Sequence, residues 1–121
     1  MLDDEPYLAR YSIHYLDQLD SRQYRQRRAE IERRLFKLLE EPYAAARAER
    51  LRHRFSGLRS ARIDQSTRVI YRICAECRGS DAVKNWRLDC CKDGLTPART
   101  VNVLCLSEHY SDMPTSFVFD S

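Results

Sequence analysis

The segment from Arg22 to Glu40 has the most regular hydrophobic pattern in the chain, and it limits the fold more than any other feature. Its apolar residues recur at steps of three and four and share one helical face: Ile31, Leu35, Leu38 and Leu39. Most other positions hold Arg or Glu, which suit an exposed helix surface. Glu41 precedes Pro42, and a residue before proline disfavours the helical region, so the helix is predicted to end there.

A second apolar stripe lies upstream and predicts another helix. Its members also recur at steps of three and four: Tyr7, Leu8, Tyr11, Tyr15, Leu16 and Leu19. Three acidic residues before Pro6 form a typical helix start, and Asp20-Ser21 breaks the pattern and can cap the helix that follows. Because only a short turn separates them, the two helices are predicted to form an antiparallel hairpin.

After a turn at Gly57 the sequence changes from helical to strand patterns. Residues 61–64 alternate apolar and charged side chains, and residues 67–73 are rich in β-branched and aromatic ones, which indicates a β-hairpin. Residues 99–106 predict a central strand and residues 116–119 a short last strand. This order predicts an α+β fold, with an N-terminal helical hairpin packed on a small, mostly antiparallel sheet.

The charge of the chain is unevenly distributed. From Arg22 to Arg72 there are 15 Lys/Arg against 6 Asp/Glu, whereas the rest has 6 against 12, which together give the net charge of +3. A basic middle between acidic ends favours a face that binds a polyanion. A solvated, Arg-rich helix explains the same numbers equally well.

The length of 121 residues predicts one compact domain over residues 1–121. No run of about 18 apolar residues is present, which argues against a membrane span. The acidic start from Met1 to Pro6 lacks the basic and apolar stretches of a signal peptide. We therefore expect a cytoplasmic protein that has no membrane partner.

A polar insert at about residues 74–98 contains most of the cysteines. Cys74-x-x-Cys77 has the spacing of a zinc knuckle, and the adjacent pair Cys90-Cys91 follows. A structural zinc would give this polar segment a reason to fold, although a flexible loop with free thiols remains the alternative. Cys105, in an apolar strand, is predicted to be a core residue.

Two segments resemble the RelE/ParE superfamily of toxins, and their motif is most similar to the YoeB-like members. The run Leu-Arg-His-Arg-Phe-Ser-Gly-Leu-Arg-Ser-Ala-Arg-Ile-Asp-Gln-Ser-Thr-Arg-Val-Ile-Tyr, from Leu51 to Tyr71, is similar to the family core, and Val101 to Tyr110 is similar to its final strand and His-Tyr pair. The family usually begins with a strand before the first helix, for which the helical pattern leaves little room. The cysteine insert and the continuation to Ser121 also depart from the family pattern.

The resemblance implies a ribosome-dependent mRNA endonuclease, the toxic half of a pair with a cognate antitoxin protein. In such enzymes the ribose 2′-OH attacks the neighbouring phosphate, which leaves a cyclic phosphate and a free 5′-OH. This reaction requires a base, a cationic group for the charge on phosphorus and an acid for the leaving oxygen. It requires no metal cofactor.

The resemblance also implies four catalytic residues. Arg68, at the start of a core strand, would stabilise the phosphate, since a guanidinium binds two oxygens at once. His109 is the candidate acid, and Tyr110 would donate a hydrogen bond or stack on a base. Glu49 is the candidate base, although a solvated helix residue is an equal alternative, and Arg68 could instead pair with a surface carboxylate.

The residues expected to bind RNA backbone or ribosomal RNA are Arg52, His53, Arg54 and Arg62, although His53 could instead cap the sheet. Two other functions stay open. The same fold could inhibit DNA gyrase, as ParE-like proteins do, although the His109-Tyr110 pair disfavours this reading. A non-enzymatic, zinc-stapled module that binds nucleic acid would explain the basic middle and the cysteines.

Overall fold

The computed structural model describes residues 7–43, 49–51, 57–77, 87–88, 98–108, 113–114 and 116–119. The helices are α1 (Ile13–Asp20), α2 (Arg28–Glu40) and α3 (Cys74–Cys77), with a short 3-10 turn at Arg25–Arg27. The strands are β1 (Leu8–Tyr11), β2 (Glu49–Arg50), β3 (Arg59–Arg62), β4 (Arg68–Ile73), β5 (Arg87–Leu88), β6 (Thr100–Ser107) and β7 (Ser116–Phe117).

Five of the described strands form one sheet in the order β1-β6-β4-β3-β2. The β1–β6 pair is parallel, and the other neighbours run antiparallel. Strand β6 is buried along its whole length, as its apolar sequence predicts for a central strand. The predicted hairpin is also confirmed, since β3 pairs with β4 from Arg59↔Tyr71 to Arg62↔Arg68.

The helical hairpin covers one face of this sheet, which we call the helical face. Tyr15 and Leu19 of α1 and Ile31, Leu35 and Leu38 of α2 are buried there. They pack against inward side chains of the central strands: Ala61, Val69, Tyr71, Ile73, Val101, Val103 and Leu106. The predicted α+β class is thereby confirmed, because one helix layer packs on one face of a mostly antiparallel sheet.

The N-terminal part of the first predicted helix is wrong. Residues Leu8–Tyr11 form β1, and the helix begins only after Ser12, whose hydroxyl accepts the backbone N–H of Tyr15 at 3.0 Å. Pairing with β6 overrides the helical periodicity, since the strand hydrogen bonds satisfy an otherwise bare edge of the central strand. The strand that we expected to be missing before the first helix is therefore present.

The second predicted helix also begins later than expected. The segment after Ser21 first forms a turn and the short 3-10 piece, and α2 starts at Arg28 and ends at Glu40, directly before Glu41. Beyond it, the Tyr71 hydroxyl donates a 2.6 Å hydrogen bond to the Pro42 carbonyl. Burial raises the pKa of Tyr71 to about 12, so the phenol remains a donor at neutral pH.

The opposite side of the sheet, which we call the second face, has its own smaller core. It consists of Leu58, Ile70, Leu104, Cys105, Phe117 and Phe119. Cys105 is thus buried among apolar residues, as predicted. The predicted last strand is also present, because Ser116–Phe117 forms β7 and Phe119 bridges to Ser12.

Parts of the cysteine insert are described as well. Cys74–Cys77 forms the short helix α3, and Arg87–Leu88 forms β5, which pairs in parallel with β7. Among the residues that the structure describes, no helix is long and apolar enough to cross a membrane.

Candidate active site

Arg62, Arg68 and Ser107 lie in one row across three neighbouring strands. The register pairs Arg62 with Arg68 and Arg68 with Ser107. Side chains alternate along a strand, and Ala61 and Val69 pack on the helical face. The two arginines therefore belong to the second face, at the end of the sheet away from the cysteine insert.

The Arg68 side chain is half-buried and has a hydroxyl neighbour within the sheet. Its Nη1 lies 3.5 Å from Oγ of Ser60, which is itself buried. Arg62, next to it in the row, is exposed. The half-buried guanidinium of Arg68 and the exposed guanidinium of Arg62 together form a cationic patch that suits a phosphate. Each guanidinium can contact two phosphate oxygens at once.

The turn that leads into Arg68 is organised by Asp64. Its Oδ1 accepts the backbone N–H groups of Ser66 and Thr67, both at 2.9 Å, and its Oδ2 binds Nη1 of Arg27. Partial burial raises the pKa of Asp64, but these hydrogen bonds and the Arg27 charge outweigh it and lower the pKa below the usual value. The carboxylate thus fixes the backbone at Thr67, one residue before β4 begins at Arg68.

Glu49 belongs to β2, where its backbone register partner is Ser60. The backbone of this candidate base is therefore paired to the residue whose hydroxyl neighbours Arg68. The described atoms of Glu49 do not include its side chain, so its role as a base stays a prediction.

The other predicted site residues lie outside the described residues: Arg52, His53, Arg54, His109 and Tyr110. The chain reaches the last two directly after Ser107 and Glu108. Ser107 is the last residue of β6 and the register partner of Arg68. Strand β6 therefore ends beside this arginine, two residues before His109 in the sequence. The structure thus brings Arg62 and Arg68 together and leaves the acid and base roles as predictions.

Part of the basic charge has a structural explanation. In α2, Arg33 and Arg34 both bind Glu30, and Arg28 binds Glu32. These pairs span three or four residues along an exposed helix surface, which is the spacing that stabilises isolated helices. The solvated-helix interpretation therefore accounts for these arginines, and the polyanion interpretation depends on the arginines of the sheet.

The zinc prediction concerns residues that are mostly not described. Cys74 is buried and its Sγ accepts a hydrogen bond from Nδ2 of Asn102 at 3.0 Å. The Cys77 side chain, Cys90 and Cys91 lie outside the described residues. Over the described part of the chain, no three His, Cys, Asp or Glu residues are grouped closely enough to hold a metal ion.

Sequence reasoning missed two supports of the site. Asp64 was detectable, since Asp followed by Ser two residues later is a common turn signal. No local sequence pattern indicates the buried Ser60, because its contact with Arg68 and its pairing with Glu49 exist only when β3 pairs with β4 and β2.

The comparisons with known proteins agree with this architecture. No protein-family model matches the sequence, and no curated protein matches it. Solved structures do match the chain, and two of them are toxins or toxin complexes. A chain of the RelBE2 toxin–antitoxin complex from Mycobacterium tuberculosis aligns with a TM-score of 0.57 at 22% identity, over 87% of this chain and 100% of that one. The YoeB/ParE toxin from Agrobacterium tumefaciens aligns with a TM-score of 0.56 at 18% identity, over 85% and 99%. The chain therefore has the fold of the RelE/ParE-type toxins.

Proposed function

We propose that this protein is the toxin of a toxin–antitoxin pair and that it cuts messenger RNA on the ribosome, in the cytoplasm. The observation that carries the proposal is the cross-strand row in which Arg62 and Arg68 lie beside Ser107, the strand end from which His109 and Tyr110 follow. The fold shared with RelBE2 and with a YoeB/ParE toxin adds support.

In the proposed reaction the ribose 2′-OH attacks the adjacent phosphorus and the 5′-oxygen leaves. Negative charge accumulates on the phosphate oxygens in the transition state. Arg68, anchored in the sheet beside Ser60, would bind those oxygens without needing to reorganise. Arg62, exposed in the same row, would hold a neighbouring phosphate of the RNA backbone.

Proton transfer is assigned to the predicted residues around this row. Glu49, paired through its backbone with Ser60, would accept the 2′-OH proton. His109 would protonate the leaving oxygen, and Tyr110 would donate a hydrogen bond or stack on a base. Arg52, His53 and Arg54 would hold RNA or ribosomal RNA. No step of this scheme requires a metal.

The proposal includes a protein partner that silences the toxin. A cavity of about 280 Å³ lies between α1 and α2, lined on its apolar side by Leu16, Leu19, Leu35 and Phe36. Phe36 is 72% exposed and Leu16 is 37% exposed, so this groove presents apolar surface to a partner. We propose that an apolar segment of the antitoxin covers this groove.

The test is to induce Arg68→Ala in cells and map the 5′ ends of transcripts. We expect cleavage to fall by roughly 100-fold or more, because a lost donor to a developing oxyanion has an effect of that size. Arg33→Ala is the matched control, since this exposed arginine of α2 pairs with Glu30 and lies on the helical side of the sheet. Both variants should retain the wild-type circular dichroism spectrum.

The outcomes separate the candidate functions. Full toxicity of Arg68→Ala would overturn the catalytic assignment. DNA-damage signalling without transcript cleavage would point to gyrase as the target. Binding of RNA without cleavage, even on ribosomes, would indicate a non-enzymatic module.

A further inference from the structure

Within the described part of the chain, the last third of β6 is bound on its β1 side by a side chain of the helical hairpin, beyond the end of β1. Strand β1 ends where Tyr11 pairs with Val103. Beyond it, Gln18 of α1 binds both backbone groups of Leu106: its Oε1 accepts the N–H at 2.7 Å, and its Nε2 donates to the carbonyl at 2.8 Å. One side-chain amide thus takes the place of a strand.

The residue after β6 is held in a similar way. The Glu108 carboxylate accepts hydrogen bonds from Nε2 of Gln23 and, at 3.2 Å, from the hydroxyl of Tyr24. Gln23 also donates to the Tyr24 hydroxyl, at 3.2 Å. Tyr24 is 3% exposed and belongs to the core of the helical face. An exposed carboxylate is therefore hydrogen-bonded to a tyrosine whose ring is buried in the core.

The turn that provides two of these groups is itself fixed to α1. The Ser21 hydroxyl donates to the Gln18 carbonyl at 2.6 Å, and the Ser21 carbonyl accepts the N–H of Arg25 at 2.8 Å. Gln18, Gln23 and Tyr24 consequently form one unit, which we call the β6 clamp. It binds the chain at Leu106 and at Glu108.

The clamp encloses the point where the proposed site begins. Ser107, between the two clamped residues, is the register partner of Arg68, and His109 follows Glu108 directly. We propose that the β6 clamp is a positioning device that sets where the segment from His109 starts relative to Arg68. This inference rests on the proposed function and names positioning residues for it.

The geometry also assigns a role to Glu108. Its carboxylate is directed to Tyr24 on the helical face, whereas Arg68 belongs to the second face of the sheet. Glu108 is therefore a positioning residue and not an acid or base, despite its place next to His109. Reactions that depend on oriented groups are sensitive to such anchors, since a displacement of about 1 Å can slow them by about 100-fold.

The test uses Glu108→Ala, Glu108→Gln and Tyr24→Phe of the full chain, assayed on ribosome-bound mRNA. We expect Glu108→Ala to lower kcat by about 10-fold or more while KM stays within about 2-fold. Glu108→Gln should retain activity within about 3-fold, because an amide oxygen still accepts both hydrogen bonds. Tyr24→Phe should have little further effect once Glu108 is Ala, as expected for partners in one contact. The control is Gln26→Ala, at an exposed residue of the 3-10 turn that directly follows Tyr24.

The inference can fail in ways that differ from a failure of the proposed function. Wild-type kcat in Glu108→Ala, with Arg68→Ala inactive, would overturn the clamp and leave the nuclease intact. Equal loss in Glu108→Gln and Glu108→Ala would overturn it too, because the carboxylate would then act chemically. If the wild-type protein cuts no RNA, amide hydrogen exchange over residues 107–110 decides: faster exchange in Glu108→Ala at an unchanged Tm supports the clamp, and unchanged exchange overturns it.

Discussion

Removing the carboxylate of Asp64 should destabilise the turn that precedes Arg68, by an amount that its contacts define. Asp64→Ala loses two backbone hydrogen bonds of 2.9 Å, to Ser66 and Thr67, each worth about 0.5–1.5 kcal/mol net. It also loses the ion pair with Arg27, whose side chains are 38% and 36% exposed and which therefore adds at most about 1 kcal/mol. The expected total is about 1–4 kcal/mol.

Asp64→Asn is the matched variant, because its side-chain oxygen can still accept both backbone N–H groups. It loses the charge but keeps the turn, so we expect it to cost under about 1 kcal/mol. Urea unfolding followed by circular dichroism would measure both variants. The slope m should stay constant, since neither change alters the surface exposed on unfolding.

The effect of Asp64 should also depend on pH in a defined direction. Its folded pKa is lowered, so its stabilisation is complete above the unfolded value of about 3.9 and is lost as the pH falls through the folded pKa. The difference between wild type and Asp64→Ala should therefore shrink below about pH 4. A difference that grows on acidification, or an Asn variant as unstable as the Ala variant, would refute this account of the turn.

Two further predictions concern the partner and the insert. In a pull-down, Phe36→Ser should weaken retention of the co-expressed antitoxin by about 10-fold or more. The midpoint of unfolding should stay unchanged, because the ring is exposed. Retained binding would contradict the proposal that the antitoxin covers this groove. If the insert holds a structural zinc, elemental analysis should find one zinc per chain and Cys90→Ser should release it. A metal-free protein whose insert is protected from proteolysis would end the zinc prediction.

Local patterns predicted the elements that depend on their own sequence. The stripe of α2 and the alternation around Ala61 are visible without the rest of the chain, and both occur as expected. The first strand was missed because Leu8 and Tyr11 also fit a helical stripe that continues to Tyr15. Only the edge of β6, some 90 residues away, decides between strand and helix.

The residues of the candidate site also differ in whether local sequence patterns indicate them. Arg68 could be proposed from the sequence because the motif around it is contiguous. Its neighbours Ser60 and Ser107, and the clamp residue Gln18, come from separate elements, and their importance exists only once the sheet is assembled. Spacing along the chain contains no information about such contacts.

The pairing of β1 with β6 also has a consequence for biosynthesis. Ser12 binds the carbonyl of Leu104, 92 residues away, and closing a loop of that size costs about 4 kcal/mol of chain entropy. Strand β6 follows α1, α2 and the β3–β4 hairpin along the chain, so a nascent chain can form these elements before it can complete the sheet. Pairing between such distant segments slows folding, so the β1–β6 contact is expected to form after the local helices and the β3–β4 hairpin.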